Sequence, residues 1–200
     1  MPRRYVSDRD RPGFLHVYKR AIDGRSLFMD DDDRMVFGDM MNRHLTRTPS
    51  FDGRGRQYRC FRDAVSLIAR CPLTSHHHNV MGQKKPGGVG ALMKTVMTSY
   101  VRYYNQRHKP GSPLFDSPFD SVRIHTPDQL RWKIAYVHDN HKRLGVDYGF
   151  STHRFYLEPD DCPSWLDVER GLGTFGGVDG YLEYLAKREI RAKLDRELRG

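Results

Sequence analysis

The chain has 200 residues and carries 34 Lys and Arg against 25 Asp and Glu, a formal net charge of +9. Hydrophobic residues make up 38% of it and aromatic residues 12%, which is enough for one packed core and excludes collagen, coiled-coil and wholly disordered classes. A basic surplus of this size favours a polyanionic partner, nucleic acid first, because neutralised phosphates release counterions.

The hydropathy of the chain and its cysteine content indicate the cellular compartment in which the protein works. No segment approaches the roughly 20 consecutive apolar residues of a membrane-spanning helix, and the N-terminus lacks the apolar centre of a signal peptide. Cys60, Cys71 and Cys162 are odd in number and widely spaced, which argues against a disulfide framework and a zinc knuckle. We therefore expect a cytoplasmic, nucleoid-associated protein without a membrane partner.

The first part of the chain predicts strands on either side of a helix. Residues 13–20 alternate apolar and polar side chains, which is typical of a half-buried strand. The acidic run at 30–33 indicates a helix start, where the macrodipole favours negative charge. After a loop rich in Gly, Arg, Ser and Pro at 46–57, residues 64–69 and 76–82 predict two strands or one broken strand.

The second part predicts two further helices and a charged extension. Gly87-Gly88 opens a long helix, and residues 119–125 predict a strand. Thr126-Pro127-Asp128-Gln129 combines an N-cap threonine, a proline at the first helical position and a glutamine three residues past the cap, so a helix should run from there to about His141. Residues 158–200 form a predicted extension with a charged helix at 178–198.

The helix after Gly88 carries basic residues among tyrosines. This mixture suits single-stranded nucleic acid, because phosphates need cations and unstacked bases need flat partners. The alternative is an amphipathic helix with a solvated basic face, whose apolar stripe includes Tyr100 and Tyr103. The predicted DNA contacts are Lys94, Arg102, Tyr104, Arg107 and Lys109.

His76-His77-His78 is the most informative triplet. Because side chains alternate across a sheet, His76 and His78 share one face of the predicted strand and His77 points away. Two imidazoles on one rigid face could hold a metal ion, and a third ligand is then required. Tyr136 and Asn140 lie one helical turn apart on the capped helix, so a phenol and a carboxamide could approach the histidine pair together.

Several short motifs follow one another in an order that resembles a known family. They are Phe14-Leu-His-Val, Arg25-Ser-Leu-Phe28, Asp31-Asp-Asp-Arg34, the segment from Cys71 to His78, the segment from Tyr100 to His108 with Leu114-Phe115, Tyr136-Val-His-Asp-Asn140, the segment from Asp147 to Leu157, and Trp165-Leu166. The chain resembles the single-tyrosine HUH transposases, in particular the repetitive-extragenic-palindrome-associated tyrosine transposases and allied insertion-sequence transposases.

This resemblance implies a fold and a division of the chain. The expected fold is α+β, a ferredoxin-like antiparallel sheet with helices mainly on one face. Residues 1–157 would form the transposase-like domain, and residues 158–200 a helical C-terminal extension. The implied partner is single-stranded DNA with a hairpin, and the sequence leaves open whether one chain or a homodimer acts.

The resemblance also implies a reaction and roles for the candidate residues. Tyr136 would attack a phosphodiester and form a covalent 5′-phosphotyrosine, which conserves bond energy for rejoining. His76, His78 and Asn140 would hold a divalent metal, Mg²⁺ or Mn²⁺, while Zn²⁺ or Ni²⁺ could occupy the site in purified protein.

The sequence departs from the family pattern in places, and other functions stay open. His77 stands between the metal histidines instead of an aliphatic or aromatic residue, and an acidic segment, Asp116-Ser-Pro-Phe-Asp-Ser121, replaces a basic one. One alternative is a non-catalytic or domesticated protein that binds hairpin or single-stranded DNA. Another is a metalloenzyme that hydrolyses its substrate with a histidine-activated water.

Overall fold

A computed structural model describes residues 11–109, 111, 113–140 and 149–197, with the backbone alone for 191–197. Four antiparallel strands form one sheet in the order β2-β3-β1-β4. The strands are β1 (Gly13–Arg20), β2 (Val65–Leu73), β3 (His76–Gln83) and β4 (Asp120–Ile124). The two central strands, β1 and β3, therefore have neighbours on both sides.

Three helices pack on this sheet. They are α1 (Asp31–Asn42), α2 (Gly88–His108) and α3 (Pro127–Asp139). The order β1-α1-β2-β3-α2-β4 together with the strand order is the ferredoxin-like arrangement, so the predicted α+β class and antiparallel sheet are confirmed. The sequence anticipated β1 residue for residue. It placed the end of β2 at residue 69, whereas the strand continues to Leu73.

Helices α1 and α2 cover one face of the sheet. The Asp30 side chain accepts a hydrogen bond from the Asp33 backbone N–H and caps α1, as the acidic run predicted. From this layer the Phe37 ring packs 5.0 Å from the ring of His77, centroid to centroid, and Phe37 also meets Tyr100 of α2 edge to face. This layer holds the larger part of the aromatic core.

Helix α3 lies on the face of the sheet opposite to α1 and α2. Its N-cap threonine, Thr126, accepts a hydrogen bond from the Gln129 backbone N–H. Ile134 and Val137 are buried, and α3 contacts both β2 and β3. Helices α1 and α2, the two crossover helices of the ferredoxin-like unit, share one face of the sheet. Helix α3 comes after that unit in the chain and covers the other face. Its predicted end, His141, lies outside the described residues.

The C-terminal extension packs into the same core as the sheet. It follows α4 (Arg154–Leu157) and contains α5 (Val168–Gly173) and α6 (Val178–Glu197). Leu166 forms a parallel bridge with Leu67 along the outer edge of β2. The predicted charged helix at 178–198 corresponds to α6, and the boundary at residue 157 stays a prediction. Within the described ranges, no helix has the length and apolar content needed to cross a bilayer.

Tyr181 joins α6 to α3 through a buried polar cluster. Its hydroxyl lies 2.8 Å from His138 Nδ1 and 2.7 Å from His153 Nδ1. His138 Nε2 lies 3.0 Å from Thr152 Oγ1, which in turn accepts a hydrogen bond from the Arg70 backbone N–H of β2. The cluster thereby fixes α3, which carries Tyr136, against the sheet.

We predict that Tyr181→Phe lowers the free energy of unfolding by about 1–3 kcal/mol, because the buried His138 and the half-buried His153 lose the hydrogen bond to its hydroxyl. Urea unfolding followed by circular dichroism measures the change. The control is Tyr184→Phe on the same helix, where the half-buried ring packs on Phe175. Equal effects of the two variants would show that the cluster contributes no special stability.

Candidate functional site

A cleft of about 570 Å³ opens where β1 ends and β3 begins. It brings together side chains from three strands, α3 and the loop before β4. Its lining includes Tyr18, His76, His78, Asp120 and Tyr136. The cleft lies on the sheet face that α3 covers.

Strand alternation divides the histidine triplet as predicted. His78 is 7% exposed and His76 is half-buried, and both line the cleft. The ring of His77 is fully buried on the other face, where Asn79 Nδ2 lies 2.8 Å from its Nδ1. Of the three imidazoles, only those of His76 and His78 are therefore placed to bind one metal ion together.

The rings of His76 and His78 are 5.0 Å apart, centroid to centroid, and each has a partner for its Nδ1 atom. His76 Nδ1 lies 3.0 Å from Ser75 Oγ, and His78 Nδ1 lies 3.0 Å from His16 Nε2. When the Nδ1–H of His78 donates to His16, the lone pair of its Nε2 atom is left to bind a metal. Such outer contacts commonly fix the tautomer and orientation of a metal-binding histidine.

The protonation states also suit a metal. Burial, with a smaller effect of neighbouring histidines, lowers the pKa of His78 to about 2. Burial and the nearby charge of Lys133 lower the pKa of His16 to about 4. Both imidazoles are therefore neutral near pH 7, which is the state that binds a metal ion.

Tyr136 lies beside this pair. Its ring meets His78 at 5.5 Å and His16 at 6.0 Å between centroids, in edge-to-face arrangements. Its other neighbour is Trp132, 44% exposed, whose ring is stacked parallel to that of Tyr136 at 5.2 Å. Lys133 Nζ lies 5.3 Å from the Tyr136 ring centroid and 4.8 Å from that of Trp132. A phenol, an exposed indole and a cation thus adjoin the histidine pair.

Asn140, the third predicted metal ligand, does not line the cleft. It is buried at the C-cap of α3, and its Nδ2 atom donates a hydrogen bond to the Tyr136 carbonyl at 2.9 Å. Among the residues that the structure describes, no group of three or more His, Cys, Asp or Glu side chains is arranged to hold a metal. The donor set at hand is the imidazoles of His76 and His78, which fits a divalent ion that completes its coordination with water or substrate oxygens.

Three tyrosines of α2 lie on the other face of the sheet from Tyr136, and the hydroxyl of each makes a hydrogen bond. Tyr100 donates to the Leu27 carbonyl at 2.7 Å, Tyr103 to Asp33 Oδ1 at 3.0 Å, and Tyr104 to the Ser26 carbonyl at 3.0 Å. Burial raises the pKa of all three phenols. Tyr136 and Tyr18 are the described tyrosines that line the cleft.

The structure corrects two of the five DNA contacts predicted on α2. Tyr104 is 5% exposed, so its ring is not available to stack on a base. Arg107 is held by the acidic start of α1, at 2.8 Å from Asp30 and 2.7 Å from Asp33. The charge of Arg107 is thereby neutralised within the protein. Lys94, Arg102 and Lys109 are exposed on the helix layer away from the cleft, and their contact with DNA stays a prediction.

Sequence reasoning missed three residues of the site: His16, Tyr18 and Trp132. The signal for the first two was the alternation of β1, which puts both on one face, but only the pairing of Tyr18 with His78 shows which face. The acidic segment 116–121 also gains a role, since Lys19 Nζ donates to Asp116 at 3.0 Å and to Ser117 at 2.7 Å.

Comparison with solved structures identifies a protein of similar fold. Neither a scan against protein-family models nor a search of curated proteins gives a match. Among solved structures, the chain is similar to a REP-associated tyrosine transposase bound to a REP hairpin, with a TM-score of 0.52 and 15% identity. The likeness covers 84% of this chain and 92% of the other. At this identity it establishes a shared fold.

We predict that His76→Ala and His78→Ala each weaken Mn²⁺ binding by at least about tenfold, because each removes one of two imidazoles on the cleft. Titration of Mn²⁺ into metal-free protein, followed by electron paramagnetic resonance, measures the affinity. His77→Gln is the control and should keep Mn²⁺ affinity while lowering stability, since the His77 ring packs on Phe37. Equal loss in all three variants would contradict the assignment.

Proposed function

We propose that the chain is a metal-dependent, transposase-like endonuclease and strand transferase of single-stranded DNA, with Tyr136 as its nucleophile. The observation that carries the proposal is the convergence of Tyr136, His76 and His78 in one cleft. The fold, similar to that of a tyrosine transposase, supports it.

In the proposed reaction, the phenolic oxygen of Tyr136 attacks the phosphorus atom of a phosphodiester. The bond from phosphorus to the 3′ oxygen breaks, which leaves a 5′-phosphotyrosine and a free 3′-hydroxyl that takes up the phenolic proton. Attack by a 3′-hydroxyl on the phosphotyrosine reverses these steps and rejoins a strand. The covalent bond conserves the energy of the broken one, so rejoining needs no external energy source.

His76 and His78 would hold the divalent ion, for which Mg²⁺ or Mn²⁺ is proposed, with Zn²⁺ or Ni²⁺ as competitors. Held by these histidines, such an ion would polarise the scissile phosphate and offset charge on the leaving oxygen. Asn140 is the proposed third ligand through Oδ1, the atom that a hard cation prefers. The hydrogen bond to the Tyr136 carbonyl uses Nδ2 and leaves Oδ1 available, but Asn140 does not line the cleft, so the C-terminal turn of α3 would have to adjust and the histidines carry the metal proposal.

Residues around Tyr136 support the binding of a DNA strand. Lys133 brings positive charge to the phenol, where the phosphate would lie. The exposed ring of Trp132 offers an aromatic surface beside the nucleophile, and stacking on such surfaces is a common way to hold unpaired bases. The proposed partner is single-stranded DNA next to a hairpin, as in the similar solved structure, which contains a REP hairpin.

We predict that the wild-type chain forms a denaturation-resistant adduct with 3′-labelled hairpin DNA that carries a single-stranded flank, and that chelation of divalent ions abolishes it. Tyr136→Phe should remove the adduct and strand cleavage while leaving the fold and DNA affinity nearly unchanged, since only one oxygen is lost. Gel electrophoresis under denaturing conditions measures the adduct.

The matched control is Tyr18→Phe, the other described tyrosine of the cleft, which should still form the adduct. An adduct that persists in Tyr136→Phe would contradict the proposal. Cleavage without any adduct would indicate hydrolysis by a metal-activated water, and tight hairpin binding with neither product would indicate a non-catalytic binding protein.

A further inference from the structure

The loop between α1 and β2 contains a hairpin of high positive charge. We call residues 47–59 the basic hairpin; they contain four arginines against a single acid, Asp52, a net charge of +3. The arginines are Arg47, Arg54, Arg56 and Arg59, and all four are exposed. A substantial part of the basic surplus of the chain is therefore concentrated in this short segment.

The basic hairpin is built as a two-stranded ribbon. Phe51 and Gln57 form an antiparallel bridge. The Asp52 N–H donates to the Arg56 carbonyl at 2.8 Å, and the Tyr58 N–H to the Ser50 carbonyl at 2.9 Å. At the turn Gly55 adopts a positive φ of 75°, a conformation that glycine tolerates best. The ribbon thus presents its side chains in a defined order.

The one acid of the basic hairpin is engaged in the turn. Asp52 Oδ1 accepts hydrogen bonds from the backbone N–H groups of Arg54 and Arg56, both at 2.9 Å, and Oδ2 accepts from Arg56 Nε at 3.0 Å. The bonds from the Arg56 and Arg54 N–H groups hold the pKa of Asp52 below its usual range. Arg47, Arg54 and Arg59 are exposed, and the guanidinium of Arg59 lies 4.7 Å from the Phe61 ring centroid.

The base of the ribbon is anchored, and an apolar side chain is exposed at the bridge next to the turn. Ser50 Oγ donates to the Arg43 carbonyl at 3.0 Å, and the Arg43 guanidinium lies 4.1 Å from the Tyr58 ring centroid. Phe51, in contrast, is 58% exposed. An exposed phenylalanine among arginines has no role in the packing of the core.

We propose that the basic hairpin binds duplex DNA, with the ribbon in the major groove and the arginines on the flanking phosphates. The major groove is wide enough to admit a two-stranded β-ribbon. Phe51 would contact thymine methyl groups there, which is a common apolar contact to bases. This inference rests on the proposed function, because it takes hairpin DNA as the substrate. It deepens that function by assigning the double-stranded stem of the DNA to the basic hairpin of the protein.

The distance of the basic hairpin from the cleft predicts how long the double-stranded stem of the DNA must be. The basic hairpin leads into Val65, at the end of the sheet where β2 pairs with Gln83, whereas the cleft lies at the other end, where Leu73 pairs with His76. Eight residues of strand separate the two ends, roughly 25 Å at 3.3 Å per residue. Duplex DNA rises about 3.4 Å per base pair, so a stem must have about eight base pairs to reach from the cleft to the basic hairpin.

The test compares two variants from which the same charge is removed. One replaces Arg47, Arg54 and Arg59 by glutamine, and the other replaces Lys94, Arg102 and Lys109, the exposed basic residues of α2, by glutamine. The ligands are hairpin DNAs with stems of about 12 and about 4 base pairs on the same single-stranded flank, and a single strand of equal length. Fluorescence anisotropy gives each affinity between about 50 and 200 mM salt, and thermal unfolding verifies that both variants fold.

For the long stem, we expect the arginine variant to lose at least about tenfold in affinity, and its slope of log K against log salt to fall by about 2 to 3, because each phosphate contact contributes about 0.9. The arginine variant should bind the short stem as tightly as the wild-type chain does. The α2 variant, whose residues are predicted DNA contacts, should change affinity by the same factor for both stems. Phe51→Ala should weaken binding to the long stem without changing the salt slope, because it removes no charge.

Two results would overturn the inference: an arginine effect that is the same for the short stem or the single strand as for the long stem, and a loss in the α2 variant that is confined to the long stem. The proposed function is judged separately, by the adduct on the short-stem DNA. An adduct with no arginine effect would refute only the hairpin surface, and an arginine effect without an adduct would refute only the catalytic proposal.

Discussion

Strand β3 is buried on both of its faces, and the alternation of its side chains decides where the core ends and the candidate site begins. His77 faces the α1 and α2 layer, where burial lowers its pKa to about 3 and Phe37 packs against its ring. His76 and His78 face α3 and open onto the cleft. A shift of β3 by one residue would exchange the two sets, so the register that packs His77 also places His76 and His78 on the cleft.

The second requirement of the site is a fixed position for α3. The Thr126 cap defines where the helix begins, and Tyr181 of the extension holds His138 near its end. Tyr136 therefore approaches the histidines from a helix that is held at both ends. The extension, although C-terminal to the ferredoxin-like unit, stabilises the element that carries the proposed nucleophile.

Much of this arrangement could be predicted because it depends on local signals. Alternation predicted β1 and the division of the histidines, and the capping residues predicted the start of α3. The errors concern contacts between distant segments. Arg107 was predicted to contact DNA, but its guanidinium is bound by Asp33 at the start of α1. His16 joined the site through strand pairing, which no local pattern in the sequence reveals.

The central claim is that Tyr136, among the tyrosines of the chain, forms the bond to DNA. The direct measurement is peptide mapping by mass spectrometry of the adduct trapped on single-stranded DNA. The account predicts that the DNA-linked peptide contains residues 133–142. A linked peptide that contains Tyr18, or residues 99–107, would contradict it.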